Sequence, residues 1–226
     1  MSLIVKICGL SAAEALDAAL DAGADMVGFV FFAPSPRHLA FDTARTLGRR
    51  VRARAQKVAL TVDADDALID AVVEALRPDM LQLHGSEPPA RVAALKKRFG
   101  LPVMKAIAVE SKIDFPRIED YAAICDWLLF DAKAPAEATR PGGLGRPFDW
   151  TLVSGAIPGK PVMLSGGLDA GNVGEALRIT PAVAVDVSSG VELTPGQKDP
   201  DKIRAFVRAA RAAAAHLERG EVASPA

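Results

Sequence analysis

Eight short runs of β-forming residues alternate with Ala-rich helical stretches along the chain, and this alternation restricts the fold more than any other feature of the sequence. The predicted strands are Leu3–Cys8, Met26–Phe31, Gln56–Val62, Met80–Leu83, Val103–Ile107, Trp127–Phe130, Pro161–Leu164 and Val183–Val187. The predicted helices are Ala12–Ala22, Thr43–Val51, Ala64–Leu76, Pro89–Phe99, a weaker stretch at Ile118–Ala123, Phe148–Gly155, Ala170–Ile179 and Pro200–Leu217.

Strands that alternate with helices form a parallel sheet, and eight such units within about 250 residues predict a single (β/α)₈ TIM barrel of the α/β class. We expect it to span residues 1–219, with a flexible tail at 220–226. An open doubly wound sheet is the alternative. Such a sheet usually carries a G-x-G-x-x-G turn after its first strand, whereas this chain has Cys8-Gly9-Leu10-Ser11 there.

Composition and charge exclude several classes of protein. The formal net charge is −1, so there is no basic excess to neutralise the phosphates of a nucleic acid. No apolar run approaches the ~18 residues of a membrane span. Two cysteines, Cys8 and Cys125, do not make a disulfide framework, and the chain is expected to be cytoplasmic. No cluster of His, Cys and carboxylates has metal-ligand spacing, so neither a metal nor a cofactor is expected.

Polar residues stand at the carboxyl ends of the predicted strands, where barrel enzymes carry out their chemistry. Lys6 and Cys8 are two apart and share one face of the first strand, so Lys6 is expected to lower the pKa of the thiol. Gln82 and His84 share a face at the end of the fourth strand. Asp131 follows three apolar residues at the end of the sixth. Such groups need each other or a ligand when they are buried.

Glycines and serines follow the seventh and eighth strands, as Ser165-Gly166-Gly167 and Ser188-Ser189-Gly190. Glycine lets a backbone approach a ligand closely, and N–H groups at a helix start bind anions. Barrel enzymes often bind a phosphate at these two loops. We therefore predict a phosphate site here, with a short extra helical turn after the eighth strand. A tight strand-to-helix connection is the simpler interpretation of the first loop.

Each of these residues also has a purely structural interpretation. A lone cysteine is more often inert packing, which is how we interpret Cys125. Asp131 can cap a loop, and His84 can be a hydrogen-bonded structural histidine. Arg37, in the loop after the second strand, can be a solvated surface residue. Lys6 and Asp186 can form an ion pair inside the barrel mouth without touching a substrate.

Taken together, the motifs of this chain resemble those of the phosphoribosylanthranilate isomerase family. The matching segments cover almost the whole chain in order: Lys6–Gly9, Gly28–Phe31, Ser35–Arg37, Leu81–Gly85, Leu129–Asp131, Gly142–Gly145, Phe148–Trp150, Leu164–Leu168, Val185–Glu192 and Lys198–Asp199. The family usually has a threonine in the Gly-Gly-Thr-Gly motif of the long loop at 132–147, and here Leu144 replaces it.

The resemblance implies an Amadori rearrangement of N-(5-phosphoribosyl)anthranilate in tryptophan biosynthesis, without a cofactor. It assigns Cys8 as general base and Asp131 as general acid, and it pairs Arg37 with the anthranilate carboxylate. The remaining site residues follow from the same resemblance. Gln82, His84 and Asp186 are expected to line the sugar site, and Ser165, Gly166, Gly167, Ser188, Ser189 and Gly190 to hold the phosphate. The protein is expected to be a monomer or a homodimer, with the small phosphosugar as its partner.

Two other functions compete with this one. A phosphosugar aldolase would use Lys6, Lys105 or Lys133 as a Schiff base. A non-catalytic phosphosugar-binding protein is the second alternative, and the presence of both Cys8 and Asp131 argues against it.

Overall fold

The computed structural model describes residues 2–110, 116–134, 138, 141–143, 148–154 and 159–220. Eight parallel strands form a closed barrel in chain order, and the last strand pairs with the first. They are β1 (Ile4–Cys8), β2 (Met26–Phe31), β3 (Gln56–Thr61), β4 (Met80–Leu83), β5 (Val103–Val109), β6 (Trp127–Ala132), β7 (Val162–Leu164) and β8 (Ala184–Val187). The predicted (β/α)₈ barrel is confirmed, and each predicted strand end lies within two residues of the observed one.

Helices connect the strands on the outside of the barrel. They are α1 (Ala13–Asp21), α2 (Phe41–Val51), α3 (Asp66–Leu76), α4 (Pro89–Phe99), α5 (Pro116–Ala122), α6 (Val173–Ile179) and α7 (Pro200–Glu218). Local sequence sets several of their ends. The Asp65 carboxylate accepts a hydrogen bond from the Leu68 N–H at the start of α3, 2.8 Å away. Gly100 ends α4 in the left-handed conformation.

One predicted helix is wrong as an α-helix. Within the stretch expected at Phe148–Gly155, the structure has a single 3₁₀ turn at Trp150–Val153, and residues 155–158 lie outside the described part of the chain. The Asp149 carboxylate caps this turn by accepting from the Thr151 N–H at 3.0 Å. Aspartate at such a position favours a short capped turn as readily as a longer helix.

The side chains of the strands alternate between two cores, as the period of two requires. The larger core lies between the strands and the helices. The smaller one fills the barrel interior below the site, and four of the five methionines contribute to it. Its buried members are Met26, Val58, Met80, Met104, Ala106, Leu129, Met163 and Ala184. The barrel is therefore closed by packed side chains beneath the site, which leaves ligand access from the carboxyl ends of the strands.

A short extra segment follows β8. It consists of a 3₁₀ turn at Ser189–Val191 and an antiparallel pair of strands, β9 (Glu192–Thr194) and β10 (Gln197–Lys198). The extra helical turn predicted after the eighth strand is thus present. The hairpin returns the chain to the barrel mouth before α7, which places Glu192 and Lys198 beside the loop that follows β2.

Residues 221–226 of the predicted tail, Leu144, and most of the loop at 132–147 lie outside the described part of the chain. Among the described residues, no helix is both long enough and apolar enough to cross a membrane.

Candidate active site

A cavity opens at the carboxyl ends of the strands and has a volume of about 840 Å³ including its mouth. Residues from β1, β2, β3, β6 and β8 and from the loops that follow β2, β3, β4, β6, β7 and β8 line it. Ten of the twelve predicted site residues are among them: Cys8, Arg37, His84, Asp131, Ser165, Gly166, Gly167, Asp186, Ser188 and Ser189. The other two, Gln82 and Gly190, lie directly behind this lining and contact it.

Cys8 ends β1 with its thiol at the cavity wall, and 3% of the residue is exposed. Gly28 lies opposite it on β2, and a Cβ added at Gly28 would come 2.8 Å from the sulfur. Burial raises the pKa of the thiol above its ordinary value of 9.0. Lys6 lowers this pKa, as the sequence predicted, but burial outweighs it and Asp186 adds to the rise.

Lys6 and Asp186 form a buried ion pair beside the thiol, with 2.8 Å between Lys6 Nζ and Asp186 Oδ1. Neighbouring strands place them opposite each other, since Lys6 on β1 is in register with Asp186 on β8. Burial by itself lowers the pKa of Lys6, but Asp186 and Cys8 together hold it above the ordinary value. The ion pair considered at the sequence level is therefore present, and Asp186 also faces the cavity.

A chain of hydrogen bonds leads from the barrel interior to Asp131. The Gln82 amide nitrogen lies 3.0 Å from His84 Nδ1, and His84 Nε2 lies 3.1 Å from Asp131 Oδ2. Because an amide nitrogen only donates, Nδ1 accepts, and the ring hydrogen sits on Nε2 and donates to Asp131. Asp131 Oδ1 accepts a second hydrogen bond from the Ala132 N–H at 2.8 Å. Two donors therefore hold this carboxylate at the rim of β6.

The loop after β7 contributes two glycines, Gly166 and Gly167, to the cavity wall. Gly166 and Gly167 have φ angles of +85° and +66°, which glycine adopts without steric cost. Within the described part of the chain, the N–H groups of both glycines have no acceptor. The Asn172 amide donates to the Gly167 carbonyl at 2.9 Å and so points the N–H of the same peptide unit, that of Leu168, away from Asn172.

The loop after β8 packs directly against this first loop. A Cβ at Gly190 would overlap the carbonyl oxygen of Leu168, so only glycine fits. Ser188 and Ser189 stand on the cavity wall beside it, at the start of the 3₁₀ turn. The two loops together form a small pocket rich in N–H and hydroxyl groups, with the composition of an anion site.

Arg37 is buried rather than on the surface, because Glu192 draws its guanidinium into the rim of the barrel. Arg37 Nε donates to Glu192 Oε1 and Nη2 donates to Glu192 Oε2, both at 2.7 Å. Nη2 also donates to the Gly143 carbonyl at 3.2 Å. One full edge of the guanidinium is thus occupied by Glu192, so a bidentate contact with a substrate is not available on that edge.

Sequence reasoning missed the apolar side of the cavity, which Val30, Phe32, Leu60 and Val62 form at the ends of β2 and β3. These residues have the same inward-facing parity as the polar positions of neighbouring strands, since Leu60 is in register with Gln82. That shared parity is the signal that could have identified them. A wall of this kind suits a flat aromatic ring.

Each of the three lysines proposed for Schiff-base chemistry is paired with a carboxylate, although Lys133 also lines the cavity. Lys6 pairs with Asp186. Lys105 lies outside the cavity lining and donates to Glu87 Oε2 at 3.0 Å and to the Gly85 carbonyl at 2.7 Å. Lys133 pairs with Glu110. Among the residues that the structure describes, no group of three His, Cys, Asp or Glu side chains is placed to hold a metal ion.

The fold and the site define the class of protein: a (β/α)₈-barrel enzyme with a thiol and a carboxyl group in one cavity. Residues 5–209 match the family model described as N-(5'phosphoribosyl)anthranilate (PRA) isomerase. An N-(5'-phosphoribosyl)anthranilate isomerase of Rhodopseudomonas palustris is 64% identical over 213 residues, which are 94% of this chain and 100% of the relative. One of Bradyrhizobium sp. is 63% identical over 94% of this chain and 97% of its own length.

Solved structures of proteins with the same name are also similar to this chain. Phosphoribosyl anthranilate isomerase from Thermotoga maritima superposes with a TM-score of 0.82 at 34% identity, over 93% of this chain and 99% of that one. A second such structure, in complex with reduced 1-(o-carboxyphenylamino)-1-deoxyribulose 5-phosphate, has a TM-score of 0.79 at 32% identity, over 93% and 99% of the two chains. The chain belongs to the phosphoribosylanthranilate isomerase family. It is an isomerase, and its family places it in tryptophan biosynthesis.

Proposed function

We propose that this enzyme converts N-(5-phosphoribosyl)anthranilate to 1-(2-carboxyphenylamino)-1-deoxyribulose 5-phosphate, with Asp131 as general acid and Cys8 as general base. The observation that carries the proposal is that both side chains line the same cavity, from strands β6 and β1. Two strands, β7 and β8, separate them around the barrel, so the two groups approach a bound pentose from different sides.

The reaction begins at Asp131. Its carboxyl proton passes to the ribose ring oxygen, the bond between that oxygen and C1 breaks, and the nitrogen lone pair forms a C1 iminium. The carboxylate left behind accepts hydrogen bonds from His84 Nε2 and from the Ala132 N–H. Hydrogen bonds to a charged group contribute about 1.5–3 kcal/mol each, so this pair of donors stabilises the product of the proton transfer.

Cys8 acts in the second step. Its thiolate takes the proton from C2, and the electrons of that C–H bond form the C1–C2 double bond of an enolamine. The enolamine loses its hydroxyl proton and gains a proton at C1 to become the ketone, so the reaction is a net isomerisation. Lys6 and Lys198 both favour the thiolate electrostatically, which opposes the effect of burial.

We assign the two anionic groups of the substrate to two polar parts of the cavity wall. We assign the 5′-phosphate to the N–H groups of Gly166 and Gly167 and to Ser188 and Ser189, with Ser165 and Gly190 shaping these loops. We assign the anthranilate carboxylate to Arg37, whose Nη1 is the nitrogen that makes no contact with Glu192. The sugar then lies between Asp131 and Cys8, next to His84, Gln82 and Asp186.

The test is the change in anthranilate fluorescence on mixing the enzyme with phosphoribosylanthranilate. Cys8→Ser and Asp131→Asn are each expected to lower kcat by about 10²-fold or more, the usual contribution of a general acid or base. Cys125→Ala is the matched control. It is expected to leave kcat unchanged, because Cys125 is buried outside the cavity. Near-native rates in either active-site variant would show that the assigned roles are wrong. Borohydride trapping with substrate is expected to leave Lys6, Lys105 and Lys133 unmodified.

We also propose a cytoplasmic enzyme that is a monomer or a homodimer. Both cysteines are free thiols, as a reducing compartment maintains them. A structure of the Thermotoga maritima relative is described as mutually generated monomers of a dimeric enzyme. Sedimentation equilibrium of this chain would separate a mass near 23.7 kDa from twice that value.

A further inference from the structure

Three buried charges form a cluster at the rim of the barrel: Arg37 from the loop after β2, Glu192 at the start of β9 and Lys198 at the end of β10. We call this cluster the rim triad. The three side chains are 4%, 5% and 1% exposed. Arg37 alone lines the cavity, while Glu192 and Lys198 lie behind it. Glu192 and Lys198 are buried charges outside the cavity lining, and they need an explanation because desolvating charges is costly.

Glu192 determines which part of Arg37 is free. It accepts from Nε and Nη2, and the second Nη2 hydrogen is directed to the Gly143 carbonyl. Within the described residues, Nη1 donates to no acceptor. A planar guanidinium that makes two hydrogen bonds along one edge cannot rotate freely, so those bonds determine the direction of its remaining N–H groups. Without Glu192, the only hydrogen bond of the guanidinium that remains among the described residues is the one to the Gly143 carbonyl.

Lys198 holds Glu192 in turn. Its ammonium donates to Glu192 Oε1 at 2.8 Å, to the Ser188 carbonyl at 2.9 Å and to the Ser188 hydroxyl at 3.1 Å. These three acceptors match the three hydrogens of an ammonium group, so Lys198 has none left for a substrate. Lys198 therefore links Glu192 to the loop that we assign to the phosphate. Arg37 and the loop at Ser188 are therefore held by the same network of hydrogen bonds.

We propose that Glu192, held by Lys198, is a positioning residue that orients Nη1 of Arg37 and thereby makes the enzyme selective for substrates with an ortho-carboxylate on the aromatic ring. The proposal rests on the proposed function, in which Arg37 receives that carboxylate. Glu192 and Lys198 would thus affect specificity through Arg37, without contacting the substrate themselves.

The direction in which Glu192→Gln changes substrate affinity distinguishes a positioning role from a purely electrostatic one. Replacing Glu192 with glutamine removes a negative charge near the carboxylate site, and charge alone would then strengthen binding of the anionic substrate. If Glu192 instead positions Arg37, the same replacement weakens binding of the substrate. We expect positioning to dominate, because a single misdirected donor loses a charge-assisted hydrogen bond at short range.

The experiment compares two substrates, phosphoribosylanthranilate and the phosphoribosyl derivative of aniline, which lacks the carboxylate, with product measured by chromatography. Glu192→Gln is expected to lower kcat/KM tenfold or more for the first, mainly through KM, and less than twofold for the second. Glu192→Asp is expected to recover part of the loss. Glu87→Gln, which breaks the buried pair with Lys105 outside the triad, is the matched control and lowers both values by the same factor.

A lower KM for phosphoribosylanthranilate in Glu192→Gln, or an equal loss with both substrates, would overturn the proposal. If Glu192→Gln does not fold, Glu192→Gln/Lys198→Met removes both charges, and it is expected to show the same loss of selectivity. Wild-type enzyme that turns over neither substrate contradicts the proposed function itself. Wild-type enzyme that turns over both, with a variant that leaves their ratio unchanged, contradicts only the role of Glu192.

Discussion

Titration of the Cys8 thiol is the sharpest test of the site, because the structure places two opposing influences on it. A thiol with the ordinary pKa of 9.0 is about 1% thiolate at pH 7, and ionising it there costs ~2.7 kcal/mol at 1.36 kcal/mol per unit. Burial raises the pKa further. Because this pKa lies above 9.0, the thiolate fraction is expected to rise throughout the range from pH 7 to pH 9, with no plateau. Lys6, whose pKa is raised, stays protonated throughout.

The assay is alkylation of the free enzyme with iodoacetamide at a series of pH values, with the modified peptides quantified by mass spectrometry. Limited exposure of the thiol slows alkylation equally at every pH, so the slope of log rate against pH reports ionisation alone. Cys8→Ser isolates the background from Cys125, whose pKa burial raises to about 11. The kcat/KM of the isomerase is expected to rise over the same range. A plateau in the Cys8 rate below pH 9 would refute the argument that burial outweighs Lys6 and Lys198.

Two further predictions concern stability, measured by urea unfolding. Gly190→Ala forces the Leu168 carbonyl to move and is expected to cost about 1–3 kcal/mol and to raise KM, whereas Gly174→Ala, with its nearest neighbour at 3.6 Å, is expected to stabilise by up to about 1 kcal/mol. Equal urea midpoints for the two variants would contradict the steric argument. Lys6→Met leaves the Asp186 carboxylate buried and unpaired and is expected to cost about 3–5 kcal/mol, while Lys6→Met/Asp186→Leu costs at least 2 kcal/mol less. A double variant no more stable than the single one would show that the pair is not energetically coupled.

The architecture was predictable because its determinants are local. Alternation with a period of two marks the strands, spacing of three and four marks the helices, and eight repeats close a barrel. The same parity placed Lys6 and Cys8 on one face of β1, and Gln82 and His84 on one face of β4. What failed was the stretch at Phe148–Gly155, where a capped 3₁₀ turn replaces the helix. Its few apolar residues did not distinguish the two.

The ends of the strands also brought the predicted site residues into one cavity, because all eight carboxyl ends of a parallel barrel meet at one rim. The apolar wall of Val30, Phe32, Leu60 and Val62 follows the same rule, but apolar residues at strand ends have the same pattern as core residues and so give no separate signal in the sequence. Family resemblance added the roles of Cys8 and Asp131, which remain predictions until the variants are measured.

The sequence by itself therefore determined the repeat, the barrel and the position of each polar side chain along its strand, since these depend on neighbours a few residues away. Only the tertiary structure decided how the charges balance. Lys6 meets Asp186 across 180 residues of sequence, and Arg37 meets Glu192 across 155. Closing the barrel removes these groups and the Cys8 thiol from water, and the cost of that desolvation, with the partner that compensates it, depends on packing that no local pattern encodes.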